Sequence, residues 1–146
     1  MAERPVVLQA GPLLGYLAEV FPQMDGRFTI LSLEPCRLVC EMRVGEADLR
    51  PGGTVSGPAM FTAADCAFYM ATLAMIGTQA LTVTTSATIN FMRKPAPGPI
   101  RAEARILKLG RTLSVGDVLL YAARDPAGNA APVAQASLTY SIPPAR

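Results

Sequence analysis

Apolar and hydroxyl-bearing residues alternate through LTVTTSATINFM, residues 81–92, whereas GPAMFTAADCAFYMATLAMI, residues 57–76, is apolar at nearly every position. The first pattern has the two-residue period of a strand, and the second has the length of a helix enclosed on all sides. In the strand, Leu81, Val83, Thr85, Ala87, Ile89 and Phe91 make one face, opposite a hydroxyl-rich face of Thr82, Thr84, Ser86, Thr88 and Asn90. In the helix, Ser56 or Gly57 serves as the cap. Pro58 falls in the first turn, where a missing N–H costs nothing, and Gly77 is the stop.

The same reading places a short helix at 12–21, closed by Pro22. Strands follow at 28–34 and 36–44, broken by Pro35; in the second, Cys36, Leu38, Cys40, Met42 and Val44 alternate with mostly polar neighbours. DLRPGG, residues 48–53, is a loop, and KPAPGP, residues 94–99, is a turn. Strands are predicted at 100–109, 112–124 and 133–142, with DPAGN (125–129) a hairpin loop. In the last strand Ala134, Ala136, Leu138, Tyr140 and Ile142 share one face, and Pro143 and Pro144 end it. Helix, two strands, long helix, four strands is the order of an α+β domain, with one curved antiparallel sheet wrapped about the long helix. No repeat or linker divides residues 1–146, so a single domain is expected.

Composition narrows the function. The net charge is +2 and 16% of residues are charged, which leaves no basic stripe for nucleic acid. Hydrophobic residues make up 51% of the chain, high for a small monomer, so part of that surface is expected in a subunit interface. Cys36, Cys40 and Cys66 are an odd number without C-x-x-C spacing and read as free thiols of a reducing compartment. MAERPVVLQAGPLL lacks the apolar run of a secretory signal, and the expected location is cytoplasmic. Residues 58–77 are long enough to span a membrane, but Asp65 at their middle would cost roughly 3 kcal/mol there. A buried helix, with no membrane partner, is the expectation.

The chain has no histidine, which removes Ser-His-Asp and Cys-His nucleophilic sites and HExxH zinc sites. Three cysteines alone make no zinc site. GGTVSG lacks the lysine of a P-loop, and TVSG fails the G-x-S-x-G pattern. No metal is expected.

Acid chemistry and helix-terminus chemistry remain. Asp65 is the only charged residue between Arg50 and Arg93. It is either a buried acid satisfied by a hydroxyl or amide, or the working carboxylate of a cleft. At Gly57 the free N–H groups of a helix start either simply begin the helix or stabilise a developing oxyanion. Arg93, Lys94, Arg101, Arg105, Lys108 and Arg111, against Glu103 alone, are either solvated strand edges or an anchor for a phosphorylated cofactor tail.

Several of these features occur together in one known family. A Gly-containing turn before a long apolar helix, an acid eight residues after Gly57, a Thr-rich strand ending N-F-M-R-K-P, and K-L-G-R-T-L with its following strand resemble the hotdog-fold acyl-CoA thioesterases, in particular the phenylacetate-degradation (PaaI-like) branch. The likeness covers about residues 30–142. It implies a homodimer, and a dimer of dimers, that hydrolyses an acyl thioester of coenzyme A without a separate cofactor.

By the same resemblance Asp65 is the nucleophile or general base, Gly57 N–H polarises the carbonyl, and Thr84 orients the attacking water. Ser56-Gly57-Pro58 stands where the family usually has His-Gly-Gly, and Arg50 where it has Asn. Arg50 and Ser56 are accordingly placed at the substrate, with Ser56 a partial replacement for the His. Arg93, Lys94 and Arg111 would take the coenzyme phosphates. Met60, Phe61, Phe68 and Tyr69 are either ordinary core or the lining of a pocket for a medium-chain or aromatic acyl group. The alternative to hydrolysis is a catalytically silent hotdog protein that binds acyl-CoA or scaffolds an assembly.

Overall fold

The computed structural model describes residues 4–124 and 131–144. Helix α1 (Ala10–Val20) begins two residues before the expected start, because Pro12 still lies in the first turn, where no intrahelical N–H is needed. Leu13 and Leu17, one turn apart, are its buried contacts, and Pro22 follows where the helix must end. Strands β1 (Phe28–Glu34) and β2 (Arg37–Met42) form a hairpin through Pro35 and Cys36, the latter at φ 61°. Cys36 therefore belongs to the turn rather than to the strand, while Leu38, Cys40 and Met42 alternate inward as expected.

Helix α2 (Gly57–Ile76) has the predicted bounds. Ser56 caps it, its Oγ accepting the Ala59 N–H at 3.2 Å, and Gly77 ends it at φ 92°. The helix has the length and hydropathy of a membrane span, yet 78% of that stretch is buried inside the protein, so it is the core. Phe68, Met70 and Leu73 are fully enclosed. The Thr72 hydroxyl, equally buried, is satisfied by Ser114 at 3.0 Å.

Strands β3 (Val83–Phe91), β4 (Ile100–Leu109), β5 (Leu113–Ala122) and β6 (Ala134–Ser141) complete a six-stranded antiparallel sheet in the order β1-β2-β4-β5-β6-β3. The predicted 125–129 loop lies outside the described residues. Small residues on the concave face (Ala102, Ala104, Ala136) let the helix approach closely. At Gly116 an added Cβ would meet the Phe68 ring at 2.6 Å, so that glycine is required by packing.

One expectation fails in β3. The strand has a bulge between Thr84 and Ser86, and the extra residue reverses which side chains face inward. Before the bulge Thr82 is buried and Thr84 points to the helix, while Leu81 and Val83 are 76% and 56% exposed. After it, Ala87 and Ile89 pack against the core. The uninterrupted two-face division predicted for 81–92 is thus correct only beyond Thr85. Thr84 gained its inward position from an inserted residue that alternation cannot reveal.

Candidate active site

Asp65 lies mid-way along α2, on the side that meets β3 and β6. Thr84 Oγ1 donates to its Oδ1 at 2.7 Å, and Tyr140 Oη reaches the same oxygen at 2.7 Å. Tyr140 Oη is also 2.9 Å from the Asp65 main-chain oxygen. The phenol has one proton, and the shorter bond to the charged acceptor takes it. Among the described residues no ion pair involves Asp65, and no donor reaches Oδ2. The acid is therefore satisfied by hydroxyls on one oxygen and open on the other.

The carboxylate borders a cleft of about 230 Å³. Val20 and Phe21 from the end of α1, Tyr69 of α2, and Ala80, Thr82 and Val83 at the start of β3 form its walls. Tyr69 Oη donates to Ala80 O at 2.9 Å, and Tyr16 Oη accepts the Ala80 N–H at 3.1 Å, which holds the 78–82 segment in place. Burial, and then the Asp65 charge, push the Tyr140 phenol far up, so it stays a proton donor. Cys66 also touches the cleft, but burial followed by the Asp65 charge raises its thiol to about 12. It is no thiolate nucleophile at neutral pH.

The other predicted residues lie further away. Gly57 is the first residue of α2, so its N–H is one of those the helix leaves without an internal partner. Eight residues of helix separate it from Asp65, about 12 Å along the axis. Its neighbour is instead the ring of Phe91, 3.5 Å from where a Cβ would stand. Ser56 Oγ is engaged in capping. Arg50 is exposed in the turn that precedes the helix, its N–H donating to Thr54 O at 2.8 Å.

Of the four expected pocket residues, Met60 and Phe68 are core, Phe61 is 38% exposed, and Tyr69 alone lines the cleft. The basic cluster does not assemble in one chain. Arg101 pairs with Glu103 and lies over the Tyr121 ring, and Arg105 pairs with Asp117. Arg93 follows β3 beside Val133, at the Leu120 end of β5, while Arg111 lies beyond its Leu113 end. That is a separation of roughly 25 Å at 3.3 Å per residue.

Residues 52–128 match the family model described as the thioesterase superfamily. The chain belongs to the thioesterase superfamily. It is a hydrolase enzyme with the hotdog fold, a six-stranded sheet around one long helix. A candidate thioesterase from Silicibacter sp. TM1040 is 48% identical, with a TM-score of 0.86 over 97% of this chain and 96% of that one. Zebrafish thioesterase superfamily member 2 is 27% identical, with a TM-score of 0.77 over 93% and 99% of the two chains. A Streptococcus mutans protein solved with acetyl-CoA bound is 25% identical, with a TM-score of 0.65 over 82% and 90%. No curated protein matches the sequence.

The matched segment of the thioesterase contains Gly57, Asp65 and Thr84 but stops before Tyr140. The alternation of the last strand puts Tyr140 on its apolar face, with no polar role. The signal was present: an inward phenol needs a hydrogen-bond partner, and Asp65 is the only charged residue within the apolar helix.

Proposed function

We propose that the protein hydrolyses an acyl-CoA thioester, with a medium-chain or aromatic acyl group, at a site shared by two subunits. The observation that carries this is Asp65: a carboxylate held by two hydroxyls on Oδ1, with Oδ2 open beside an apolar cleft. As a general base Oδ2 takes a proton from water while the oxygen bonds to the carbonyl carbon. The carbonyl becomes an oxyanion facing the Gly57 N–H. The C–S bond then breaks, the thiolate receives the proton, and a carboxylic acid and a free thiol leave. As a nucleophile Oδ2 instead bonds to that carbon first, the thiolate leaves, and water hydrolyses the resulting anhydride.

The need for two subunits follows from β3. Thr84, near one end of the strand, touches Asp65, and Phe91, at the other, lies beside Gly57. β3 is a sheet edge, and Leu81, Val83, Phe91 and Met92 are exposed along it. Pairing this edge antiparallel with a second copy, about a two-fold axis at Thr88, sets Phe91 of one chain opposite the Thr84–Thr85 bulge of the other. Gly57 then approaches Asp65 of the other subunit. The same pairing carries Arg93 and Lys94 to the end of the partner's sheet where Arg111 lies, restoring one basic patch for coenzyme phosphates. A dimer of dimers and a reducing, cytoplasmic setting, in which Cys36, Cys40 and Cys66 form no disulfide, complete the reading.

A silent acyl-CoA binder is the second reading, favoured by one observation. Ser56 Oγ is committed to its cap and Arg50 to solvent, so neither takes the place of the family's His and Asn. Acyl-CoA thioesters of graded length and aromaticity, screened with a thiol-detecting reagent, decide between the two. Thiol release by the wild type, absent in Asp65→Asn, is expected. Binding without thiol release by either protein would establish the silent reading.

A further inference from the structure

We infer that Tyr140 is a positioning residue of the reaction: with Thr84 it fixes the orientation of the Asp65 carboxylate so that Oδ2 alone faces the cleft. The inference rests on Asp65 being the catalytic acid. The terminal torsion of an aspartate is broad and roughly two-fold, so an unrestrained carboxylate would present either oxygen at varying angles. Here two donors converge on Oδ1 from neighbouring strands, each at 2.7 Å. They do so because Thr84 and Tyr140 stand directly opposite one another in the β3–β6 register. The bulge begins just after Thr84, so this pair stays on the helix side.

Tyr140 itself is held on both flanks, its ring 5.6 Å from Phe68 and 6.0 Å from Tyr69. A phenol clamped this way loses little further freedom when it holds a carboxylate. The titratable groups around Asp65 are Tyr140 from β6 and Cys66 and Tyr69 on α2 itself; β3 contributes only the hydroxyls of Thr82 and Thr84, and the end of α1 only Val20 and Phe21.

Tyr140→Phe removes the hydroxyl and keeps the stacked ring. Assayed beside wild type and Asp65→Asn, it is expected to lower kcat roughly ten- to hundredfold, the worth of a hydrogen bond to a charged group. KM should change less than about twofold, since no substrate contact is lost. A purely structural Tyr140 would lower the melting temperature and leave kcat of the folded variant within about twofold of wild type. Wild-type turnover in Tyr140→Phe, with Asp65→Asn inert, would overturn the inference and leave the catalytic role of Asp65 standing. Full turnover in Asp65→Asn would remove both. If Tyr140→Phe fails to fold, 3-fluorotyrosine at position 140 keeps the shape and makes a stronger donor. In that variant kcat should change while KM stays within about twofold of wild type, and an unchanged kcat overturns the inference.

Discussion

Thr72 of α2 and Ser114 of β5, both without solvent exposure, share a hydrogen bond of 3.0 Å across the interface of helix and sheet. Each hydroxyl is the other's partner in an apolar interior. Thr72→Val should therefore leave Ser114 unsatisfied, and Ser114→Ala should do the same to Thr72. Each single change is expected to cost about 1–3 kcal/mol, and the double change clearly less than their sum. Denaturant unfolding of the four proteins measures this, and additive losses would contradict the pairing.

The two-subunit site predicts complementation. Asp65→Asn removes the acid, and Gly57→Pro deletes the proposed N–H donor at a first-turn position where Ser56, at φ −74° and ψ 157°, already has the backbone that precedes a proline. Each homodimer should be inactive. Mixed in equal amounts, unfolded and refolded, heterodimers carry one intact and one doubly damaged site, so roughly a quarter of wild-type activity should return. No recovery from demonstrably mixed dimers would place the site within one chain.

Coenzyme recognition should depend on salt, because Arg93, Lys94 and Arg111 are exposed and their attraction for phosphate is screened. Charge reversal, Arg93→Glu or Arg111→Glu, should raise KM severalfold with kcat changing by less than about twofold. Steady-state kinetics from low to high salt test both points. Salt-independent KM would move the coenzyme away from these residues.

Alkaline stability follows from the buried thiols. Burial first, with smaller like-charge contributions, raises Cys66 from 9.0 to about 12 and lifts Cys40 higher still. Above pH 9 the unfolded chain releases these protons and the folded chain keeps them, so the unfolded state binds fewer protons and stability falls as pH rises. The loss should run from about pH 9 toward pH 12 for Cys66, approaching about 1.4 kcal/mol per pH unit for each thiol. Below pH 9 this contribution is fully present. Denaturant unfolding at pH 8, 9, 10 and 11 checks it, and Cys40→Ala should flatten the slope.

What was legible in the sequence was set by local chemistry. The bounds of α2 follow from Ser56, Pro58 and Gly77, and the inward faces of β2 and β6 from simple alternation. Asp65 stood out because a lone acid in an apolar helix demands a partner. Its partner was not readable, since Thr84 and Tyr140 meet it through strand pairing 19 and 75 residues away. The basic cluster was not readable as one patch for the opposite reason. Arg93 and Arg111 are close in sequence, but the length of β4 between them sets them at opposite ends of the sheet.

The bulge in β3 makes that strand a ruler with a step in it. Thr84 must face Asp65 and Phe91 must face Gly57, although an odd number of positions separates them and plain alternation would turn one of the two away. Thr85 supplies the missing half-turn. The tolerance of β3 to insertion or deletion is therefore set by counting rather than by composition. Removing Thr85 would change neither hydrophobicity nor charge, and it would rotate Thr84 off the carboxylate or Phe91 off the helix start. Chains that share this strand's residue types but differ by one in its length should be read as having lost the site's alignment, however similar their sequences.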